Sequence, residues 1–151
     1  MAISPEAVKA LRDQTGIGVL ECKKALEEAG GDTAKALAIL GARAAASVAK
    51  KQGRALGAGT VASYIHNQGQ VGAMIQLSCE TDFVSKNEEF IGLARDIAMH
   101  TAAMRPADIA ELTAQAFIKN PEKTIADLIS AATQKFGERI EITQLSCFSV
   151  R

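Results

Sequence analysis

The hydrophobic period of this chain changes once, at a stretch that contains Gly53, Gly57 and Gly59. Before this stretch, apolar residues recur at the spacing of amphipathic helices. After it, apolar and polar residues alternate as they do in half-buried strands. Because helices and strands bury side chains at different intervals, one segment cannot satisfy both patterns. The sequence therefore predicts a helical module with its linking helix over residues 1–53 and an α+β core domain over residues 54–151.

The first unit carries the start and stop signals of short helices. Ser4, which is followed by a proline, is typical of a helix start. A second helix is predicted over residues 19–29, where two glycines suit its end. Asp32 is placed to cap a third helix over residues 34–40, and a further helix-like stretch covers residues 43–52. These signals predict a compact bundle of three short helices.

The second unit begins with two alternating runs, residues 61–66 and 71–79, on either side of Asn67-Gln68-Gly69. This arrangement predicts a β-hairpin with one buried face. A last strand begins near Ile140, and its alternation slips over residues 145–148, which indicates a bulge there. The fold class predicted for this unit is α+β, with a three-stranded antiparallel sheet packed by helices.

Two helices are predicted between the hairpin and the last strand. Ser85 with Glu88, and Thr124 with Asp127, have the spacing of capping boxes, and Gly137 suits the end of the second helix. The buried stripe predicted for the first helix consists of Phe90, Leu93, Ala94, Ile97, Ala98, Thr101 and Met104.

Charge and cysteine content narrow the class of partner. The chain has 17 Lys and Arg against 17 Asp and Glu, whereas nucleic acids and anionic membranes select an excess of basic residues. The residues after Met1 contain no basic stretch followed by an apolar segment, so we expect no leader, and no apolar run reaches the roughly 20 residues of a membrane span. We therefore expect a soluble, intracellular protein that binds neither nucleic acid nor membrane. Cys22, Cys79 and Cys147 are expected to be small buried thiols in a reducing compartment.

The sequence contains no pattern typical of a catalytic, metal or cofactor site. His66 and His100 have no carboxylate or cysteine at ligand spacing. The glycines of residues 53–59 precede a strand, whereas a phosphate-binding loop follows a strand and opens a helix. These features predict a binding protein, not an enzyme, with no cofactor and no metal.

Leu20 departs from the hydrophobic pattern of the second helix. The apolar side of that helix is predicted to contain Val19, Cys22, Ala25, Leu26 and Ala29, whereas Leu20 points away from it, beside Ile17. Leu20 is either an isolated exposed leucine or the centre of a docking patch, and the helical pattern is compatible with both.

Residues 80–84 contain a second apolar side chain that could be either buried or exposed. Phe83 either folds back into the core, as most phenylalanines do, or is held outward with Asp82 in a rigid loop. In the second interpretation, the end of a strand and a helix cap would hold the loop on its two sides.

Both segments resemble signature segments of the elongation factor Ts family. LRDQTGIGVLECKKAL, over residues 11–26, is similar to the family's N-terminal motif, with Val19-Leu20 where methionines are common. CETDFV, over residues 79–84, matches the second motif closely. The resemblance covers almost the whole chain.

The resemblance implies a guanine-nucleotide exchange factor for elongation factor Tu in translation elongation. The N-terminal bundle would be ubiquitin-associated-like and would hold the partner's nucleotide-binding domain. The segment Thr81, Asp82, Phe83 and Val84 would displace the partner's Mg²⁺ and release GDP so that GTP can bind. The partner-binding residues implied are Arg12, Ile17, Val19, Leu20, Lys23, Val71 and Gly72.

The resemblance also predicts the assembly. Between Arg105 and Phe117 the chain has a short connection where longer family members have extra helices. Short members with one core work as homodimers, so we expect a homodimer, a 2:2 complex with elongation factor Tu, and a cytoplasmic location. A ubiquitin-associated-type adaptor and a small RNA-binding or ribosome-associated protein are the competing interpretations, but neither accounts for CETDFV.

Overall fold

The computed structural model describes residues 2–151, so Met1, on which the expectation about a leader depends, lies outside the described residues. No helix in the described part of the chain is long and apolar enough to cross a membrane. The elements in chain order are α1 (Pro5–Thr15), α2 (Val19–Glu28), α3 (Thr33–Lys51), β1 (Ala58–His66), β2 (Val71–Cys79), α4 (Asp82–Ser85), α5 (Glu88–Met104), α6 (Ile109–Ala114), β3 (Ala116–Phe117), β4 (Asn120–Thr124), α7 (Ile125–Phe136) and β5 (Glu141–Ser149).

The predicted caps of α1 and α3 are confirmed. The backbone N–H of Ala7 donates to Ser4 Oγ at 3.1 Å, and that of Lys35 donates to Asp32 Oδ1 at 3.1 Å. Each side chain satisfies one of the donors that a helix start leaves without an intrahelical partner.

The prediction that the third helix ends at residue 40 is wrong, because α3 continues through Gly41 to Lys51. One glycine costs a helix only about 1 kcal/mol, and the neighbouring alanines favour helix. Contacts with α2 support the continuation, since Arg43 lies 3.2 Å from Glu21 Oε2 and 2.5 Å from Glu28 Oε1.

The three helices enclose a hydrophobic cluster of their own, and α3 also packs on α7 of the core domain. The buried members of this cluster are Val8, Leu11, Ile17, Cys22, Ala25, Leu26, Ala36 and Leu40. The likeness of this bundle to a ubiquitin-associated domain stays a prediction.

The α+β fold and the three-stranded antiparallel sheet are confirmed, with the strand order β1-β2-β5. Asn67, Gln68 and Gly69 all have positive φ in the hairpin turn. The bulge lies at Thr143, because the pairing passes from Gln76↔Gln144 to Leu77↔Ile142. The prediction of a bulge over residues 145–148 is therefore wrong. The Thr143 hydroxyl lies 2.8 Å from Ser78 Oγ, and this contact is formed across the two strands.

The start of α5 also differs from the prediction. Asn87 caps the helix, with its Oδ1 accepting from Glu89 N at 2.8 Å, whereas Ser85 is the buried last residue of α4. The capping box of Ser85 and Glu88 is therefore wrong. Met104, which we expected in the buried stripe of α5, is half exposed at the end of the helix. The capping box of Thr124 with Asp127 is confirmed, and α7 ends at Gly137 as predicted.

The connection after α5 folds into α6 and the β3–β4 hairpin, which the sequence did not predict. His100, which is fully buried in α5, joins this segment to the core. Its Nδ1 accepts from Ile118 N at 3.2 Å, and its Nε2 lies 2.9 Å from Gln115 Oε1. Both ring nitrogens have protein partners, so His100 has a structural role.

The core domain buries the inner face of the sheet under α5 and α7. Phe90, Ile75, Leu77, Ile97 and Ile125 are completely buried in this second cluster. Within residues 2–151, no helix covers the opposite face, where Val61, Ile65 and Phe148 are exposed.

Candidate functional site

Phe83 lies on the surface, so the interpretation that places it in the core is wrong. Its side chain is 92% exposed, whereas the neighbouring Val84 is 7% exposed and belongs to the core. The segment is not the loop that we expected but one turn of helix, α4, with Thr81 as its N-cap. A single turn therefore directs Phe83 and Asp82 outward and anchors Val84 inward.

Local hydrogen bonds hold α4. The backbone N–H of Ser85 donates to Thr81 O at 3.2 Å, and the Ser85 hydroxyl donates to Asp82 O at 3.3 Å. The thiol of Cys79 donates to Thr81 O at 3.3 Å from the end of β2. Burial, and secondarily the charge of Glu138, raise the pKa of the Cys79 thiol, so this sulfur remains protonated and serves as a donor.

Glu80, immediately before α4, connects three segments of the chain. Its Oε2 accepts from the backbone N–H of Arg139 at 2.5 Å, and Arg54 Nη1 lies 3.5 Å from the same oxygen. Arg139 Nη1 in turn donates to Arg54 O at 2.6 Å. The linker after α3, the start of α4 and the connection after α7 therefore meet at one place.

The start of α2 exposes a second apolar group. Val19 is 53% exposed and Leu20 is 63% exposed, and the side chains of Arg12 on α1 and Lys23 on α2 are also exposed. The expectation that Val19 belongs to the buried side is wrong, because it is the first residue of the helix and lies at the edge of the bundle. Ile17 is buried in the bundle core, so its expected place in an exposed patch is also wrong.

Val71 and Gly72 lie at the hairpin end of β2, and α4 follows the other end. The seven residue steps from Gly72 to Cys79 span roughly 23 Å of extended strand. A Cβ at Gly72 would lie 2.6 Å from Cδ1 of Ile65, so the glycine leaves space for this exposed side chain. The structure thus distributes the predicted binding residues over three places: the start of α2, α4, and the hairpin end of the sheet.

The uncovered face of the sheet carries exposed apolar side chains beside polar ones such as Ser63 and Ser146. Val61, Ile65, Met74 and Phe148 are each at least half exposed there. Gly72 pairs with Ile65 on one side and with Phe148 on the other, so these two side chains flank the glycine on one row of the sheet. The alternation of β1 contained this signal, since Val61 and Ile65 occupy the face opposite Ala62 and Tyr64.

The described residues contain no group of three or more His, Cys, Asp or Glu side chains that could hold a metal ion. His66 is exposed and stacks on Tyr64, with ring centroids 5.9 Å apart. A cavity of about 840 Å³ next to them is lined by neutral and basic side chains, including Arg105 and Arg151. In the described residues, the exposed side chains of the candidate site include those of Asp82, Phe83, Val19 and Leu20.

The family model described as Elongation factor TS matches residues 80–151. The elongation factor Ts of Desulforamulus reducens is 44% identical over 91% of this chain and 70% of its own length. That of Desulfotalea psychrophila is 37% identical over 99% of both chains, and that of Thermodesulfovibrio yellowstonii is 39% identical over 99% of this chain and 97% of its own. The chain belongs to the elongation factor Ts family, and its role is that of a translation elongation factor.

The comparison with Desulfotalea psychrophila also measures how short this chain is. That alignment runs over 195 positions, whereas this chain has 151 residues, so at least 44 positions have no counterpart here. A relative with the same family fold therefore has additional segments that this chain lacks.

Proposed function

We propose that this chain is a guanine-nucleotide exchange factor for elongation factor Tu. It binds the GDP form of the partner, disturbs the site of Mg²⁺ and the phosphates, and promotes GDP release so that GTP can bind. The observation that carries this proposal is the exposure of Phe83 on a turn that the adjacent Val84 anchors in the core. An exposed phenylalanine on an anchored support is suited to insertion into a partner.

The free energy of insertion comes from the exposed side chain itself. Burying a phenylalanine that was in water contributes about 1.5–3 kcal/mol, and Phe83 is available for this in the free chain. Asp82, exposed beside it, brings a negative charge toward a site where Mg²⁺ neutralises phosphate charge. Displacement of the ion leaves the phosphates without that neutralisation, and the partner's affinity for GDP falls.

The start of α2 supplies a separate contact in this proposal. Val19 and Leu20 form an apolar centre, and Arg12 and Lys23 provide charge around it, as in a docking patch with a polar rim. Residues 1–53 then act as the unit that holds the partner, and residues 54–151 as the unit that presents α4. Val71 and Gly72 contribute a third contact at the end of the sheet.

No covalent step is required of the chain in this mechanism. By linkage, a factor that binds nucleotide-free partner more tightly than GDP-bound partner must weaken GDP binding by the same ratio. Rebinding of nucleotide then displaces the factor, so one chain can act on many partner molecules in the cytoplasm.

We further propose that the chain forms a homodimer through the uncovered sheet face and that two chains bind two partner molecules. Ile65, Met74 and Phe148 leave apolar area on this face without a covering layer. A second copy would cover it with the same residues, as a two-fold interface does.

The linkage relation gives a direct test of exchange activity against simple adaptor binding. The dissociation constant of the chain for elongation factor Tu is measured by calorimetry with GDP and Mg²⁺ and again without nucleotide. The proposal predicts much tighter binding without nucleotide, and the GDP affinity of the complex must fall by the same factor. Equal affinity in both states would identify an adaptor and would contradict the proposal.

A further inference from the structure

We propose that Glu138 is a positioning residue for nucleotide exchange, because its carboxylate braces the segment that presents Phe83. This inference rests on the proposed function. Glu138 lies between α7 and β5, 57 residues from Thr81 in sequence. It has no place in either family-like motif, and its importance follows from the fold alone.

One carboxylate holds two consecutive residues at the entrance to α4. Glu138 Oε1 accepts from the backbone N–H of Glu80 at 3.1 Å and of Thr81 at 3.0 Å. Glu138 Oε2 accepts from the Thr81 hydroxyl at 2.6 Å. Hydrogen bonds to an ionised carboxylate are about twice as strong as neutral ones, so this is a strong local restraint.

The turn needs such an external support. α4 has four residues, and forming one helical turn fixes several backbone dihedral angles for few hydrogen bonds. Thr81 occupies the N-cap position, but its side chain makes no capping bond to α4. Its hydroxyl is bonded to Glu138 instead, so a support from another part of the chain adds to the local hydrogen bonds of the turn.

The brace is reciprocal. While Glu138 accepts from the backbone of Glu80, the side chain of Glu80 accepts from the backbone N–H of Arg139 at 2.5 Å. One side chain on each segment, that of Glu80 and that of Glu138, therefore binds the backbone of the other segment, and this fixes the offset between them. Gly137, with a φ of 70°, ends α7 and directs the chain into this position.

The consequence for exchange follows from the geometry. Phe83 lies two residues after Thr81, so the orientation of Thr81 sets the direction in which the phenylalanine projects. Without the brace, α4 would sample several orientations, and few of them would match the cleft in the partner. The contact at the start of α2 does not involve Glu138, so binding to the partner should persist while the rate of GDP release falls.

The test compares full-length variants in a fluorescent-GDP release assay on elongation factor Tu, over a range of factor concentrations. Glu138→Ala removes all three bonds and should lower the plateau release rate by about tenfold or more, because misplacement of a reacting group is costly. The half-saturating concentration should change by less than about threefold. Glu122→Ala, at an exposed glutamate on β4, is the matched control. With this variant, elongation factor Tu should release GDP at the same rate as with the wild-type chain.

A conservative variant separates bracing from charge. In Glu138→Gln, the amide oxygen can still accept from both backbone N–H groups, so most of the plateau rate should be recovered. If Glu138→Gln is as slow as Glu138→Ala while its amides at residues 80–86 exchange at the wild-type rate, the charge acts on the partner and the bracing role is wrong. An unchanged plateau in Glu138→Ala would also overturn the assignment.

A measurement on the free chain keeps the inference independent of exchange activity. Amide hydrogen exchange at residues 80–86 should be at least about fivefold faster in Glu138→Ala than in the wild-type chain, with unchanged exchange in the core strands. If these amides exchange at the wild-type rate, the brace does not hold α4 and the inference is wrong. If they exchange faster but the wild-type chain does not accelerate GDP release from elongation factor Tu, the proposed function is wrong and the structural role of Glu138 is supported.

Discussion

Two phenylalanines of this chain form a matched pair for testing the role of α4. Phe83 is 92% exposed, whereas Phe90, seven residues later, is completely buried. Phe90→Ala should destabilise the fold by about 3–5 kcal/mol, the usual cost of deleting a buried phenylalanine. Phe83→Ala removes a side chain in water and should change the free energy of unfolding by no more than about 0.5 kcal/mol.

Thermal melts convert these free energies into separable outcomes. For a chain of this length, 1 kcal/mol shifts the melting temperature by roughly 2–4 °C. Phe90→Ala should therefore melt roughly 6–20 °C early, and Phe83→Ala within about 2 °C of the wild-type chain. In the release assay, Phe83→Ala should still bind elongation factor Tu, but the partner should release GDP far more slowly than with the wild-type chain. Asp82→Ala should show the same defect in milder form.

An early melt of Phe83→Ala with normal release per folded molecule would refute this reasoning. That result would mean that Phe83 stabilises the chain and does not act on the partner. Wild-type release by a stable Phe83→Ala variant would also refute it, because the exposed ring would then have no role in exchange.

Three further perturbations test the other surfaces. Leu20→Glu places a charge in the proposed docking patch and should weaken binding by on the order of 1–3 kcal/mol in calorimetry; normal affinity, or an unfolded bundle, would contradict the patch. Phe148→Glu should convert the dimer to a monomer in sedimentation equilibrium at tens of micromolar, about the range in which a specific interface persists. A variant that remains dimeric, or a wild-type chain that is monomeric, would contradict the interface. Because burial raises the pKa of Cys79 above its ordinary value of 9.0, the stability linked to its neutral thiol is complete below that value and is lost as the pH rises through the raised pKa. Between about pH 8 and pH 10, the melting temperature of Cys79→Ala should therefore fall less than that of the wild-type chain. An equal fall would contradict this.

The features that the sequence predicted best are those decided by neighbouring residues. Ser4, Asp32 and Thr124 cap helices because their side chains reach backbone donors three residues away. The hairpin turn at residues 67–69 is equally local. Such contacts require no knowledge of the rest of the fold, so pattern reasoning finds them.

The predictions that failed depended on distant contacts or on competing caps. The continuation of α3 through Gly41 is supported by Arg43, which pairs with glutamates on α2. Ser85 and Asn87 are both good cap residues, and the burial of Ser85 in α4 leaves the role to Asn87. α6 and the β3–β4 hairpin are too short to show a clear period.

The candidate site also combines features that neighbouring residues decide with features that distant contacts decide. The motif at residues 79–84 was identifiable from the sequence, but the residues alone left the side chain of Phe83 either inside or outside. Its exposure follows from the anchoring of Val84 and from the brace by Glu138, which is a contact over 57 residues of sequence. No local pattern contains that information, so Glu138 emerged only from the structure.

The rate of GDP release from elongation factor Tu distinguishes an exchange factor from a protein that only binds. Partner loaded with fluorescent GDP and Mg²⁺ is mixed with excess unlabelled GDP and increasing amounts of the wild-type chain. We expect the release rate to rise with the concentration of the chain to a plateau far above the spontaneous rate. Release at the spontaneous rate under saturating chain, with binding verified and the partner active, would contradict it.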